Sequence, residues 1–447
     1  MNYNRKRKPR NDSYDTYDSN PRKKNPNRRT RSKAPEREIY DDNDETDSTI
    51  QVIPVFINKF NNNNDASSEL SNFDDIFEED NVIELLIKKV KKSKLEDKTK
   101  KMCLNKLKNC DKDNHKLIEW IESILRIPFK QYAKLPISIK NNEVDIHNYF
   151  DNAQSTLDSI VHGLDNVKEE LINFIAQCIS TDNKSTPRII GLHGPAGVGK
   201  TQIVKNGLSK ILKRPMRLIS MGGIQDSSHF LGFDFTYCGS RYGVIAQSLV
   251  ESKIMNPIIF MDELDKISTT KDGLDIQNLL IHLTDPVQNM SFQDKYFSGI
   301  DIDLSKVIFI FSFNDINNIS PILKDRIHII EVPSPDFKSK VIIAKNYLLK
   351  DILSNIGFKE KEIDINDEAI EHLIREHCSN DKGVRNLKRF LETIVLKINT
   401  ARFIGKRNKY KTLKNISFPF TITKDIIDEV IIKTKDERDD IIRSMFC

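Results

Sequence analysis

No apolar run in this 447-residue chain approaches the roughly 18 residues that a membrane-crossing helix needs; the longest, such as "VIFIFSF" at 307–313, have the length of a strand. The amino terminus has no apolar h-region, which excludes a visible secretory signal. It is also too acidic for a mitochondrial presequence, because Asp12, Asp15 and Asp18 come early with almost nothing apolar around them. The six cysteines, at 103, 110, 178, 238, 378 and 447, are scattered. No C-x-x-C occurs and no histidines stand at metal-ligand spacing, so the expectation is reduced thiols in the cytoplasm or nucleus. Together these absences predict a soluble, intracellular protein, not secreted and not in a membrane.

What remains is 38% hydrophobic and 30% charged, with length for about three domains at roughly 150 residues each. The net charge of +5 is unevenly spread. Residues 1–40 hold thirteen Lys or Arg against five acids, a net of +8, so the other 407 residues sum to −3. Residues 1–78 read as a disordered tail, with basic clusters "RKRKPR" and "PRKKNPNRRTR", acidic "YDDNDETD" and too few apolar residues to offset the entropy of ordering. An apolar patch at 50–57 could dock as a strand. The basic clusters fit a nuclear address, a nucleic-acid contact or a solvated tail of no specific role. Residues 79–150 read as a helical segment, with a wide Lys-rich face over 81–110, expected to be solvated, followed by a stripe of Leu117, Trp120, Ile121, Ile124 and Leu125 before Pro128. In 151–335 short apolar runs alternate with amphipathic stretches, which predicts an α/β domain with a parallel sheet; 336–447 reads as a smaller α-helical lid with a strand pair near "SFPFTI".

The chemistry starts at "GPAGVGKT", 194–201, which fits G-x-x-x-x-G-K-[ST]. Gly194 and Gly199 let the backbone approach phosphates, with Pro195, Ala196, Gly197 and Val198 between them. Lys200 supplies charge for the β and γ phosphates, and Thr201 offers a hydroxyl to Mg²⁺. A strand precedes the loop and an amphipathic helix, 201–213, follows it. About sixty residues on, "PIIFMDELDK" delivers Asp262 and Glu263 at the carboxyl end of a strand, where parallel sheets bind ligands. Asp262 is placed to hold Mg²⁺, and Glu263 to polarise a water toward the γ-phosphate. Asn314, ending "VIFIFSFN", either orients that water or is an ordinary turn residue. Arg326 either completes a neighbouring subunit's nucleotide site or makes a surface ion pair. No N-K-x-D string is present, so guanine reading is excluded.

"VHGLDNVKEELINFIA" (161–176), "GPAGVGKT", "NPIIFMDELDKIS" (256–268), "LTDPVQNMSFQDKYFSGIDIDLSKVIFI" (283–310) and "GVRNLKR" (383–389) resemble the ATPase module of Lon-type AAA+ proteases. "LIEWIESILRIPFKQYAKLP" (117–136) resembles the family's helical segment just before that module. The resemblance covers about three quarters of the chain, from about 90 to about 432. It implies a P-loop AAA+ sheet domain with an α-helical lid, and hydrolysis of ATP with Mg²⁺. Gly194 to Thr201 would be Walker A, Asp262 and Glu263 Walker B, Asn314 sensor 1, Arg326 the finger acting in trans and Arg385 sensor 2. His162 and Gly163 would stand near the adenine. A hexameric ring threading polypeptide is implied, with the pore aromatic on Tyr237. The chain departs from the family at Gln225, Ser227, Ser228, Leu231, Asp234, Phe235 and Cys238, where charged or bulkier residues are usual. After the lid-like "FTITKDIIDEVIIKTK" only "DERDDIIRSMFC" follows, too short for the family's Ser-Lys peptidase domain. The expectation is therefore an ATP-driven protein remodeller without peptidase activity of its own. The alternatives are an ATPase subunit serving a separate peptidase and a nucleic-acid-associated machine using the basic tail.

Overall fold

The computed structural model describes residues 80–109, 114–182, 187–268, 270–359, 361–414 and 416–431. The expected tail, its basic clusters, the patch at 50–57 and the last residues from 432 lie outside them. Five parallel strands form one sheet: β1 (Ile190–His193), β2 (Met216–Ser220), β3 (Ile258–Asp262), β4 (Ile308–Phe313) and β5 (His328–Glu331), in the order β2-β3-β4-β1-β5. Each lies inside an apolar run expected to be a strand. Period-two alternation sends Ile258, Phe260, Ile308 and Ile310 to one face, and Ile259, Met261, Phe309 and Phe311 to the other. Both faces are buried, so the strands read as nearly unbroken apolar runs. Each such Phe or Ile side chain contributes about 1.5–3 kcal/mol by leaving water.

Helices α1 (Asp80–Lys92), α2 (Asp97–Lys108) and α3 (His115–Arg126) belong to one apolar cluster with Ile219, Ile259 and Phe309 of the second face. The Ser93 hydroxyl donates to the Val90 carbonyl (2.6 Å) where α1 gives way to the turn before α2. Asn114 starts α3, its side chain accepting from the Leu117 N–H (3.1 Å). Ile127 turns extended ahead of Pro128 and ends it. Trp120 is buried, and its indole N–H donates to the Tyr296 carbonyl (2.7 Å). Helices α4 (Glu143–Ile160) and α5 (Asp165–Ser180) and the helical run 200–211 cover the first face. Gly207 lets Leu157 of α4 approach that run.

Beyond β5 a separate apolar cluster is built on the helical run 337–356 and the helices Asp367–His377 and Arg385–Ile404. The lid is therefore helical, as its sequence suggests. Among the described residues its one strand pair joins β7 (Phe420–Ile422) to β6 (Ile363–Ile365) in parallel. The partner of "SFPFTI" is thus far upstream, across two helices, and not its neighbour. Among the described residues no helix is long and apolar enough to cross a membrane.

Candidate functional site

The strand order fixes where the site lies. The chain leaving β1 travels to β2 at one edge, whereas the chain leaving β4 crosses to β5 at the other. The loops after these two adjacent strands diverge, and a crevice opens at their carboxyl ends. The 194–201 loop and Asn314 stand there.

The loop's glycines have distinct duties. Gly197 and Gly199 take φ of +80° and +98°, which L side chains rarely adopt. Gly194 sits against the Val332 carbonyl, with which a Cβ would collide. Lys200 is buried, and its Nζ donates to the carbonyls of Gly194 and Phe313 (3.1 Å for the latter) and to Asn314 Oδ1 (2.7 Å). Burial pulls its ammonium below the ordinary lysine value, and the charges of Asp262 and Asp265 oppose that pull. Thr201, half-buried, follows Lys200 in the first turn of the helical run.

Asp262 closes β3, one strand beyond β4. Its Oδ1 accepts from the Ser312 hydroxyl on β4 and from the Glu263 N–H (3.0 Å). Glu263 has φ +61°, a left-handed conformation uncommon for such a residue and frequent where function imposes strain. Its carboxylate rests against Gly222 in the loop after β2, where a Cβ would meet Oε2. Asp265, buried behind it, accepts from the Asp315 N–H (3.3 Å) through Oδ2.

The lid reaches the same edge. The Val384 N–H donates to the Gly197 carbonyl (3.1 Å), and Gly383 lies so close to Ala196 that a Cβ would strike its carbonyl. Arg385 begins the long lid helix with its backbone over Gly197. A cleft of about 270 Å³ is lined by Pro195, Ala196, Asp381, Lys382, Arg385 and Asn386. Gly163 and Leu164 are both left-handed, at φ +64° and +60°, and turn the chain into α5. The His162 ring stands 6.3 Å from that of Tyr347 on the lid. The Tyr347 hydroxyl donates to the Asp158 carbonyl (2.9 Å).

Two expected residues are elsewhere. Arg326 precedes β5, whose His328 is level with Ile190 at the start of β1, so it lies at the amino end of the sheet, opposite the loop. There its guanidinium donates to the Ile281 carbonyl (2.7 Å) and pairs with Asp285 (3.1 Å). Tyr237 is 66% exposed in the loop between Gly232 and Gly243. Sequence reading passed over Ser312, Gly222, Gly383 and Tyr347. Only Ser312 carried a signal: a serine within "VIFIFSF" is a polar group in an apolar strand and needs a partner.

Residues 190–335 match the family model of the ATPase family associated with various cellular activities (AAA), and residues 354–411 that of the Lon protease AAA+ ATPase lid domain. A Lon protease homolog of Acanthamoeba polyphaga mimivirus is 38% identical over 306 residues, 68% of this chain and 30% of that protein. The Lon protease of Helicobacter pylori strain J99 is 36% identical over 64% of this chain and 34% of its own length. The mitochondrial Lon protease homolog of Drosophila melanogaster is 36% identical over 55% and 24%. The chain thus spans about a third or less of the length of these relatives.

Proposed function

Given that residues 190–335 match the AAA ATPase family and residues 354–411 the Lon lid domain, we propose that the chain hydrolyses ATP and uses the energy to remodel or unfold polypeptides in a homo-oligomeric, hexameric ring. The observation that carries the first half is convergence: Lys200, Asn314, the adjacent Asp262 and Glu263, and the lid's Arg385 come from four separate segments to one sheet edge. Gly194, Gly197 and Gly199 would present backbone N–H groups to the phosphates, and Lys200 would exchange carbonyl partners for phosphate oxygens. The adenine would lie toward His162, Gly163 and Tyr347, and Arg385 would meet the γ-phosphate from the lid.

The residues fit Mg²⁺. Among the described residues no group of three or more His, Cys, Asp or Glu could hold a metal. Mg²⁺ needs no such cage, since it takes one or two protein oxygens and completes its shell with phosphate and water. Thr201 and Asp262 would supply those oxygens, with Ser312 fixing the Asp262 carboxylate. When bound, the ion neutralises charge on the β and γ phosphates. Glu263 would take a proton from water whose oxygen attacks the γ-phosphorus; the bond to the β-bridging oxygen breaks, giving ADP and inorganic phosphate. Asn314 would orient that water. Arg326 would serve a neighbouring subunit's nucleotide, a reading that its distance from its own loop supports.

Glu263→Gln tests this. The variant should bind ATP as the wild type does, with turnover reduced by about 10²–10⁴-fold, the usual contribution of a general base. Undiminished turnover would remove Glu263 from the role.

A further inference from the structure

The loop from Phe233 to Tyr242 carries the exposed Tyr237, and the fold holds it from outside itself. At its neck the Phe233 N–H donates to the Arg241 carbonyl (3.0 Å), and the Gly243 N–H to Asp294 Oδ2 (2.7 Å). Nearer the tip, Asp234 Oδ1 accepts from the Thr236 N–H (2.8 Å) and hydroxyl (2.7 Å), which shapes the turn but anchors it to nothing. The anchor comes from α2 and α3. Lys116 Nζ donates to the Tyr237 carbonyl (2.7 Å) and lies 5.0 Å from the centre of the Phe235 ring. Phe235 packs on Trp120 (5.8 Å between rings) and edge-on to Tyr296 (6.1 Å). Lys106 caps the stack, 4.6 Å from the Trp120 ring and 5.7 Å from Phe235. Lys106, on the Lys-rich face expected to be solvated, is therefore not merely solvated, and neither is Lys116. One sits on an aromatic pair and the other grips a backbone carbonyl.

We infer that Lys116 is a positioning residue for polypeptide engagement, clamping the loop so that Tyr237 is presented in a fixed pose by the helical segment that precedes the ATPase module. This deepens the proposed function and rests on its assignment of Tyr237 to substrate contact. The physical case is local. A lysine that donates to a carbonyl and covers a ring face makes two interactions at once, and the carbonyl belongs to the residue whose side chain projects outward. The aromatic stack beneath is tied into the buried core through the Trp120–Tyr296 hydrogen bond. A push on Tyr237 would thus be resisted by α3 and not by the loop alone. Phe235 and Lys116 act as one unit, which gives the aromatic at 235 a purpose where charged residues are usual in Lon-type sequences.

The test uses the full chain, with Lys116→Met, Lys116→Arg and Tyr237→Ala, and casein as an unfolded-protein probe. Lys116→Met should raise amide hydrogen exchange across 233–242 by about threefold to tenfold, as expected for loss of a few weak contacts on a surface loop. It should raise the casein concentration needed for half-maximal ATPase stimulation by a similar factor, about threefold to tenfold, with basal ATPase unchanged. Lys116→Arg, which keeps the cation, should restore both. Unaltered exchange in Lys116→Met would overturn the clamp, as would a parallel loss of basal ATPase, which marks a purely structural role. If Tyr237→Ala leaves casein stimulation intact, the threading reading itself fails and takes the functional half of the inference with it. The exchange result then stands or falls as a statement about the loop alone.

Discussion

The phosphate loop and the 232–243 loop are held in opposite ways. The first is fixed mainly by its own sequence. Two of its glycines take left-handed φ, and its lysine is buried on the loop's own Gly194 carbonyl and on the strand beside it. The second is fixed by strangers. Lys116 comes from 121 residues upstream and Asp294 from 51 residues downstream of the atoms they bind. Under the proposed function, a loop that cradles the same phosphates every time can encode its shape locally. A loop whose outward side chain meets varied partners would, under that same function, leave its local sequence free and take its rigidity from a scaffold.

Gly383→Ala should do the greatest damage at the phosphate side. The added Cβ would strike the backbone carbonyl of Ala196 and force the lid turn off the cradle. Overpacking of this kind costs about 1–3 kcal/mol. ATP affinity should therefore fall by about tenfold to a hundredfold, read by titration with a fluorescent nucleotide, while exchange in the 233–242 loop stays as in the wild type. A change in both loops would mean that they are coupled and the contrast between them is false.

Ser312→Ala is a smaller step. It removes one of two donors to Asp262 Oδ1 and keeps the Glu263 N–H. A hydrogen bond to a charged acceptor is worth about 1.5–3 kcal/mol, and with the Glu263 N–H still in place the loss lies at the lower end of that range. The Mg²⁺ concentration for half-maximal ATPase should rise by about tenfold, with saturating Mg²⁺ restoring most of the rate. An unchanged Mg²⁺ requirement would show that Ser312 does not orient Asp262.

The same contrast explains what could be read from the chain. The five strands, the cradle and the Asp262–Glu263 pair were legible because each is a contiguous pattern: an apolar run, a glycine spacing, acids at a strand end. Gly222 beneath Glu263, Gly383 against Ala196 and Tyr347 beside His162 were not, because each is half of a contact whose other half lies many residues away. The helical segment carries the same lesson. Its apolar stripe predicted a buried face, and Trp120 is buried, but nothing in the stripe says that its partners are Phe235 and Tyr296, far downstream in the chain. Arg326 was flagged as either a finger or a surface ion pair, and it does pair with Asp285. Only the strand register places it at the amino end of the sheet, away from its own cradle.

Asp294→Asn should leave the cradle untouched and act on the neck of the other loop alone. Asp294 is fully buried, and burial pushes its carboxyl up to about 7 although the N–H groups of Gly243, Tyr296 and Phe297 favour the carboxylate. In the unfolded chain the group titrates near its ordinary 3.8. Between these values the folded state holds a proton that the unfolded state has released. The stability it contributes is therefore fully present below about pH 4, is lost as pH rises toward about 7, and is level above that. Asparagine cannot titrate, so the variant lacks this slope. Urea unfolding midpoints of the two proteins, measured in steps from about pH 5 to about pH 8, should diverge with rising pH up to about 7 and then run parallel. A constant offset across the range would mean that Asp294 is ionised throughout. Its three N–H donors would then outweigh its burial, and the neck would be held by charge where the cradle is held by backbone.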